Sequence, residues 1–512
     1  MNQGKKTRNG ILISILALGA LPRLAVASLP LKTLIQYVIP DDSYYYFQIA
    51  TNIGRGLGPT LDGVNLTNGF HPLWAYLITP VFWLKGVDPD LPIRIVVILS
   101  GLLDVVTAYV IYRVGLLLSD SRGGALLGAA CFAAAPTIIA RSVCGLEVAL
   151  GLTLVALVTW QLARILEQGR WRLGDIALLG ALCALTNLAR SDTIYYTLAV
   201  AIVAFYYLYR RRKIRLFAPF VITGLALAAP WLIWNLVEFG TTVQVSAVAV
   251  PYVRNPPEAG WPISDLVSCF GAVIRDFGGF THFSPFAGLT LVPVGLAWGL
   301  IAAGPRERRG RLLVILALTC AAFVDFVVHT AVRQVTRDWY FSEFAVAACL
   351  AVGTAAALYP APGRKKLIFV LTFLAWLVAG MPFAVKRVVS PSYPWQTEMY
   401  RGAAWVNARP AIKAAAFNAG IISYYADNRV TNVDGAVNNA AFAAIKNREL
   451  YEYVVGEKID YVVDYDEPVY RTYEDYWPPA CLSRIRPAAD LDIPELTFGG
   501  RYRAHRVNPP DN

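Results

Sequence analysis

Asp41 and Asp42 stand side by side in Ile39-Pro40-Asp41-Asp42-Ser43-Tyr44-Tyr45-Tyr46-Phe47, just beyond a long apolar segment. Paired carboxylates next to a bilayer suit one task in particular, the acceptance of a proton from an attacking hydroxyl at the membrane surface. The segment Ser43–Ile53 has helical character and ends at Gly54, Gly56 and Gly58. A structural reading is therefore an N-cap, a position that favours aspartate. One aspartate suffices for a cap, and a helix N-terminus favours the ionised carboxylate, a weak base in the ground state that accepts a proton late, as the hydroxyl acidifies.

Other groups suited to chemistry follow. His71 lies in Asn68-Gly69-Phe70-His71-Pro72-Leu73-Trp74, where Asn68-Gly69 signals a turn. It reads either as a hydrogen-bonded interfacial side chain or as a contact to a lipid-linked phosphate. Arg141, Glu147, Arg190 and Asp192 recur at the boundaries of apolar segments. Singly, such charges are snorkelling or paired structural residues; together they ring a cavity for a phosphate and sugar hydroxyls. Arg333, Arg337, Asp338, Trp339 and Tyr340 form a second basic and aromatic cluster. Arginine binds phosphate bidentately, and the faces of Tyr45, Trp339 and Tyr340 are candidates for stacking on acceptor or sugar rings. Asp325 and His329, four residues apart, share a helical face and read equally as a functional pair or as helix–helix glue.

The elements that must hold these groups are membrane spans. Hydrophobic residues make up 56% of the 512, charged residues only 16%, and mean hydropathy is +0.47. Apolar stretches run over 11–29, 94–118, 123–140, 145–163, 174–190, 192–209, 214–235, 286–303, 312–331, 338–358 and 366–385. Each is long enough to cross a bilayer core. The first follows Lys5, Lys6 and Arg8 and contains Arg23; with many spans after it, it reads as a retained helix rather than a signal peptide. The shorter stretch 72–84 reaches only about 20 Å as a helix, short of a ~30 Å core.

Charge decides how that short stretch lies. Basic runs such as Arg210 to Lys213, Arg306 to Arg311 and Arg364 to Lys366 mark cytoplasmic loops. They fall on one side with the N-terminus only if 72–84 lies along the surface. The expectation is eleven spans, 72–84 as a juxtamembrane helix with Trp74 and Trp83 in the interface, and a cytoplasmic N-terminus. The face opposite the cytoplasm then holds 30–93, Arg141 to Glu147, Arg190 to Asp192, 236–285, the His329 to Tyr340 turn and everything after about 386. The net charge of +11 is explained by those loops, so no nucleic-acid partner is inferred. Seven cysteines without paired spacing indicate neither a disulfide framework nor a zinc site.

Two domains follow: a helical membrane domain over 1–390, and an extracytoplasmic domain over 391–512 holding 12 of the 27 tyrosines. In the latter, Ala414–Tyr425 reads as strand and turn, Val430–Gly435 as a strand, Ala440–Glu457 as a helix and Asp460–Asp464 as a strand, a small α/β unit.

The pattern resembles the GT-C superfamily of polyprenyl-phosphate-dependent glycosyltransferases, which includes protein O-mannosyltransferases, lipid A aminoarabinose transferases and mycobacterial arabinofuranosyltransferases. Four matches carry the resemblance: Asp41-Asp42 in the first outer loop, the His71-Pro72 segment, Arg141 to Glu147, and Leu188-Ala189-Arg190-Ser191-Asp192, which is similar to a Leu-x-Arg-Pro-Asp turn with Ser191 in place of proline. It is clearest over 1–235. It implies an integral protein of a bacterial plasma membrane that transfers a sugar from a polyprenyl-phosphate donor to a hydroxyl of a glycan, lipid or protein acceptor, by inverting single displacement. Asp41 or Asp42 is the expected base, His71, Arg141, Glu147, Arg190, Asp192 and Arg337 hold the donor's phosphate and sugar, and no metal or other cofactor is implied. A lipid-linked substrate transporter or flippase and a non-catalytic envelope sensor or scaffold are the alternatives. A transporter more often carries symmetric repeats with interrupted helices, and none is visible.

Overall fold

The computed structural model describes residues 2–254, 309–331, 339–340, 343–358, 365–493 and 500–508. The expected span 286–303, most of the 236–285 loop, Arg333, Arg337 and Asp338 lie outside these residues.

Helices coincide with the apolar stretches. They are α1 (Asn2–Val26), α4 (Asp90–Ser119), α5 (Arg122–Ala134), α6 (Pro136–Ser142), α7 (Val148–Gln168), α8 (Leu173–Ala189), α9 (Ile194–Arg210), α10 (Phe217–Phe239), α12 (Arg309–Ala331), α13 (Glu343–Leu358) and α14 (Lys365–Val389). Between the first two spans lie α2 (Asp41–Gly54) and α3 (Pro72–Ile78), and α11 (Val245–Arg254) follows α10. Five described helices are long and apolar enough to cross a membrane, or seven if each bent pair counts as one span.

One bent pair corrects the sequence reading. The stretch 123–140 is two helices meeting at 58°. Pro136 has no N–H to donate and forces the preceding residue out of the helical region, so Ala135 sits at φ −71°, ψ 113°. The bend carries the chain from α6 into the turn that bears Glu147.

Charge also explains the arginine in the first span. Arg23 and Asp104 pair at 2.5 Å with both side chains buried. Arg23 also donates to the carbonyls of Gly19 and Ala133, and Ser142 Oγ donates to Asp104. A charge costly in a bilayer is thus turned inward, joining α1, α4 and the α5–α6 bend. By contrast, α10 exposes Ile222, Leu225, Ile233 and Val237, a face that a lipid environment satisfies and water does not.

The short stretch at 72–84 is α3 followed by a 3₁₀ turn, Thr79–Gly86. It buries Trp74, Ile78 and Phe82 and exposes Tyr76, Leu77 and Trp83. Trp74 Nε1 donates to the Gly145 carbonyl, which ties this amphipathic segment to the Glu147 turn.

The C-terminal region is α15 (Gln396–Asn407), β1 (Ala414–Ala416), α16 (Gly420–Tyr425), β2 (Val430–Asn432), α17 (Asn439–Asn447), α18 (Leu450–Gly456), β3 (Tyr461–Tyr465), β4 (Ile485–Ile493) and β5 (Tyr502–Val507). The sheet order is β2-β1-β3-β5-β4. β1 is parallel to both β2 and β3, and β5 is antiparallel to β3 and β4. Two readings change here. Ala414–Tyr425 contains a helix after its strand, and 440–457 is two helices, because Arg448 takes a left-handed conformation (φ 59°) between them. The parallel pairs require helical crossovers, so the carboxyl ends of β1, β2 and β3 open at one edge.

Candidate active site

The site is built on α2. Its N-cap is Pro40 (φ −68°, ψ 158°), and Asp41 and Asp42 occupy its first turn; neither aspartate caps its own helix. Gln396, from α15, does that work. Its Oε1 accepts the Asp41 N–H at 2.7 Å, while its Nε2 donates to the carbonyls of Ile35 and Ile39. The Asp41 carboxylate reaches the other way. It accepts the N–H groups of Gly420 (3.2 Å) and Ile421 (2.7 Å), at the start of α16. The two domains therefore cap each other's helices.

Tyr45 follows Asp41 by four residues and lies on the same side of α2. Its hydroxyl donates to the Phe417 carbonyl and accepts from the Ala419 N–H. Thus the Asp41–Tyr45 face is engaged by the C-terminal domain. A Cβ on Gly420 would lie 2.2 Å from the Asp41 carbonyl oxygen, so the approach is close. Burial raises the Asp41 carboxyl from 3.8 to about 7, opposed by the Ile421 N–H and assisted by Asp42.

Asp42 points to a different face, shared with Tyr46. The Tyr46 hydroxyl meets His71 Nδ1 at 2.7 Å. His71 Nε2 lies 3.3 Å from Ser191 Oγ, and its Nδ1 lies 3.5 Å from Glu147. Glu147 accepts from Arg190 Nη1 at 3.0 Å, and Arg190 grips Asp192 through Nε and Nη2. Gln244 accepts from Ser191 and donates to the Phe70 carbonyl. Side chains from Tyr46 to Gln244 thus form one network. The Arg190 side chain is only 2% exposed and directs its fork at carboxylates, which fixes Glu147 and Asp192 in place.

The remaining candidates fall around this centre. Arg141 is buried in the last turn of α6, at the head of the turn bearing Glu147. Trp339 and Tyr340 are described and contact each other edge-to-face. Tyr340 packs against His329 at 5.4 Å between rings. His329 pairs with Asp325 at 2.9 Å, and both interact electrostatically with Asp192. Arg337 lies outside the described residues. Sequence reasoning missed Tyr46, Gln244, Gln396, Asp434 and Asp464. The i, i+4 spacing of Tyr46 from Asp42 was a usable signal, but the others sit far along the chain.

The C-terminal domain adds carboxyls of its own. Asp464, at the end of β3, is fully buried and accepts from the N–H groups of Phe417, Asn418 and Tyr465 and from Asn418 Nδ2. It thereby shapes the loop that holds Asp41 and Tyr45. Asp434 follows β2, accepts the Ala436 N–H at 2.7 Å, and is raised to about 7 by burial, with Asp42 and Asp464 adding to the rise. Among the described residues no three His, Cys, Asp or Glu side chains converge to hold a metal ion.

Residues 71–234 match the family model described as dolichyl-phosphate-mannose-protein mannosyltransferase. Residues 392–504 match one described only as a domain of unknown function. No curated protein sequence matches the chain. Among solved structures it resembles the Archaeoglobus fulgidus oligosaccharyltransferase tethered with an acceptor peptide (13% identity, TM-score 0.60, 96% of this chain and 74% of that one). It also resembles ArnT from Cupriavidus metallidurans bound to undecaprenyl phosphate (11%, 0.60, 98% and 99%). A third likeness is to arabinofuranosyltransferase AftD from mycobacteria (16%, 0.54, 98% and 40%). The chain therefore shares the fold of these structures, the GT-C fold that its four motifs led us to expect. The archaeal enzyme has also been seen with zinc and sulfate.

Proposed function

We propose that the chain transfers a sugar from a polyprenyl-phosphate donor to a hydroxyl of a glycan, lipid or protein acceptor, on the extracytoplasmic face of a bacterial plasma membrane. The observation that carries this reading is the shared face of α2. Asp42 stands there with Tyr46, whose hydroxyl is bonded to the His71–Glu147–Arg190–Asp192 network. ArnT's complex with undecaprenyl phosphate and the archaeal enzyme's with dolichol-phosphate support a lipid phosphate as the leaving group.

In the proposed step the acceptor oxygen attacks the anomeric carbon, the bond from that carbon to the phosphate oxygen breaks, and its electron pair leaves with the phosphate. The acceptor's proton passes to Asp42. Asp41 is the poorer candidate because its carboxylate is committed to the N–H groups of Gly420 and Ile421. A lipid phosphate is already acidic, so no general acid is needed. His71, Arg141 and Arg337 are proposed to meet its charge. Glu147 and Asp192, held by Arg190, are proposed to bind sugar hydroxyls, with Trp339 and Tyr340 stacking nearby.

The test uses purified protein in nanodiscs, polyprenyl-phosphate mannose and polyprenyl-phosphate arabinose as donors, and envelope extract as acceptor. Release of polyprenyl phosphate is expected from wild type and not from Asp42→Asn. Full turnover by Asp41→Asn, Asp42→Asn and the double variant would refute the mechanism. A reporter fused after residue 385 is expected to lie outside the cytoplasm; a cytoplasmic signal would refute the orientation.

A further inference from the structure

The peptide group joining Phe70 to His71 offers one carbonyl and one N–H, and both are bonded to side chains that lead back to the His71 ring. On the carbonyl side, Gln244 Nε2 donates to Phe70 at 2.7 Å. That bond turns the Gln244 amide so that its Oε1, which only accepts, meets Ser191 Oγ at 3.2 Å. Ser191 therefore gives its one proton to Gln244, and its oxygen meets His71 Nε2, at 3.3 Å, as an acceptor. Nε2 must carry a proton. On the N–H side, His71 N donates to the Tyr46 hydroxyl at 3.2 Å, and the same hydroxyl lies 2.7 Å from His71 Nδ1. The Tyr46 oxygen accepts from the backbone and has its own proton to give to Nδ1.

The hydrogen bonds thus close into a ring on one peptide group, and their polarity leaves the imidazole a single proton, on Nε2. The charged groups around Nδ1 fit this arrangement. Glu147 lies 3.5 Å from Nδ1, but its nearer partner is Arg190 Nη1, at 3.0 Å, and the same guanidinium grips Asp192. The ring is closed at one end and open at the other. Tyr46 and Gln244 are buried, whereas Ser191 is exposed and the His71 side chain is 19% exposed, so an incoming ligand meets the Nε2 end. Ser191 stands where the turn it resembles has proline, a residue with no hydroxyl to pass on the polarity set by Gln244.

We propose that Tyr46, Ser191 and Gln244 are positioning residues that hold His71 as a neutral imidazole with its proton on Nε2. His71 then meets an incoming lipid phosphate as an uncharged hydrogen-bond donor, its Nε2–H exchanging Ser191 Oγ for a phosphate oxygen. A bond to a charged oxygen is stronger than one to a neutral hydroxyl, so the exchange favours the phosphate. The other ring nitrogen already accepts from Tyr46. His71 therefore has no lone pair left to take the acceptor's proton, and that task falls to a carboxylate. No covalent bond changes in this binding step.

The phosphate contact rests on the transferase reading and the placement of the ring proton does not, so the experiment reads them separately. Full-length protein with isotope-labelled histidine is studied in nanodiscs by nitrogen NMR. The chain has four histidines, and His71→Gln identifies the His71 signals. At about pH 7 wild type is expected to show a bare Nδ1 and a protonated Nε2. In Tyr46→Phe, Nδ1 loses its donor and is expected to become protonated beside Glu147. In Ser191→Ala the Nε2 signal is expected to move, and Ser191→Thr to restore it. A protonated Nδ1 in wild type, or the same Nδ1 state in wild type and Tyr46→Phe, overturns the proposal, as does an Nε2 signal that Ser191→Ala leaves unmoved. Binding of undecaprenyl phosphate is then measured. His71→Ala is expected to weaken it about tenfold or more, and His71→Gln, whose amide offers an uncharged N–H, to recover much of that loss. Equal loss in both variants overturns the uncharged donor. The expected ring state with an affinity that His71→Ala leaves unchanged supports the ring and refutes the phosphate contact alone.

Discussion

Two carboxyl-rich regions flank α2, and they are built on opposite electrostatic plans. On one side Glu147 and Asp192 are matched by Arg190, with His71 alongside. On the other, Asp41, Asp434 and Asp464 interact electrostatically, and Asp41 and Asp464 meet mainly backbone N–H groups, while Asp42 stands between the two regions. A carboxylate gripped by a guanidinium stays ionised and fixed in place. Carboxyls that crowd one another hold protons near neutrality. The first plan suits orientation of a sugar and the second suits proton transfer.

The largest expected effect falls where the two regions meet. Asp42→Asn should lower donor turnover by about 10²–10⁴-fold, the range for losing a general base, with little change in donor affinity; a radiolabelled polyprenyl-phosphate sugar measures both. Next comes the first region. Arg190→Ala strands the buried Glu147 carboxylate and the partly buried one of Asp192, for which a cost of about 3–5 kcal/mol is expected. Thermal unfolding in detergent should show the loss, and Arg190→Lys should recover only part of it, since an ammonium cannot span both partners.

A smaller perturbation tests how tightly the second region depends on domain docking. In Gly69→Ala the new methyl would meet the Ala436 carbonyl at 2.0 Å, so backbone must shift, at about 1–3 kcal/mol. Turnover should fall while the His71–Glu147–Arg190 network keeps its stability. Limited proteolysis between 385 and 396 should then accelerate. The gentlest test is pH. Burial raises Asp41 from 3.8 to about 7, so the folded protein holds a proton that the unfolded chain releases. Stability is present in full below about pH 4 and is lost as pH rises through about 7. Asp41→Asn should flatten that slope in unfolding measured from pH 4 to 8. An unchanged slope would mean that another group, such as Asp434, dominates it.

Much of the membrane region was legible because its signal is local. Twenty apolar residues between basic clusters specify a span whatever lies elsewhere, and α4, α7, α9 and α10 follow the stretches closely. Breaks and faces were less legible: 123–140 reads as one span although Pro136 divides it, and Trp74, expected in the interface, is buried with Ile78 and Phe82 at i, i+4 spacing. The C-terminal sheet was half visible. Its parallel strands are short apolar runs, whereas β4 and β5, rich in Arg, Asp and Pro, lacked that pattern.

The sequence alone determined the chemistry available: a carboxyl pair, a histidine before a proline, and arginine–carboxylate turns between spans. These are residue types at short spacing, and covalent order preserves them. Tertiary structure decided their division of labour. Consecutive helical residues point about 100° apart, so Asp41 turns to the N–H groups of Gly420 and Ile421 while Asp42 turns toward Tyr46. Only folding could bring Gln396, Asp434 and Asp464 to them across more than 350 residues. No local pattern encodes a contact whose partners meet solely through the packing of one domain on another.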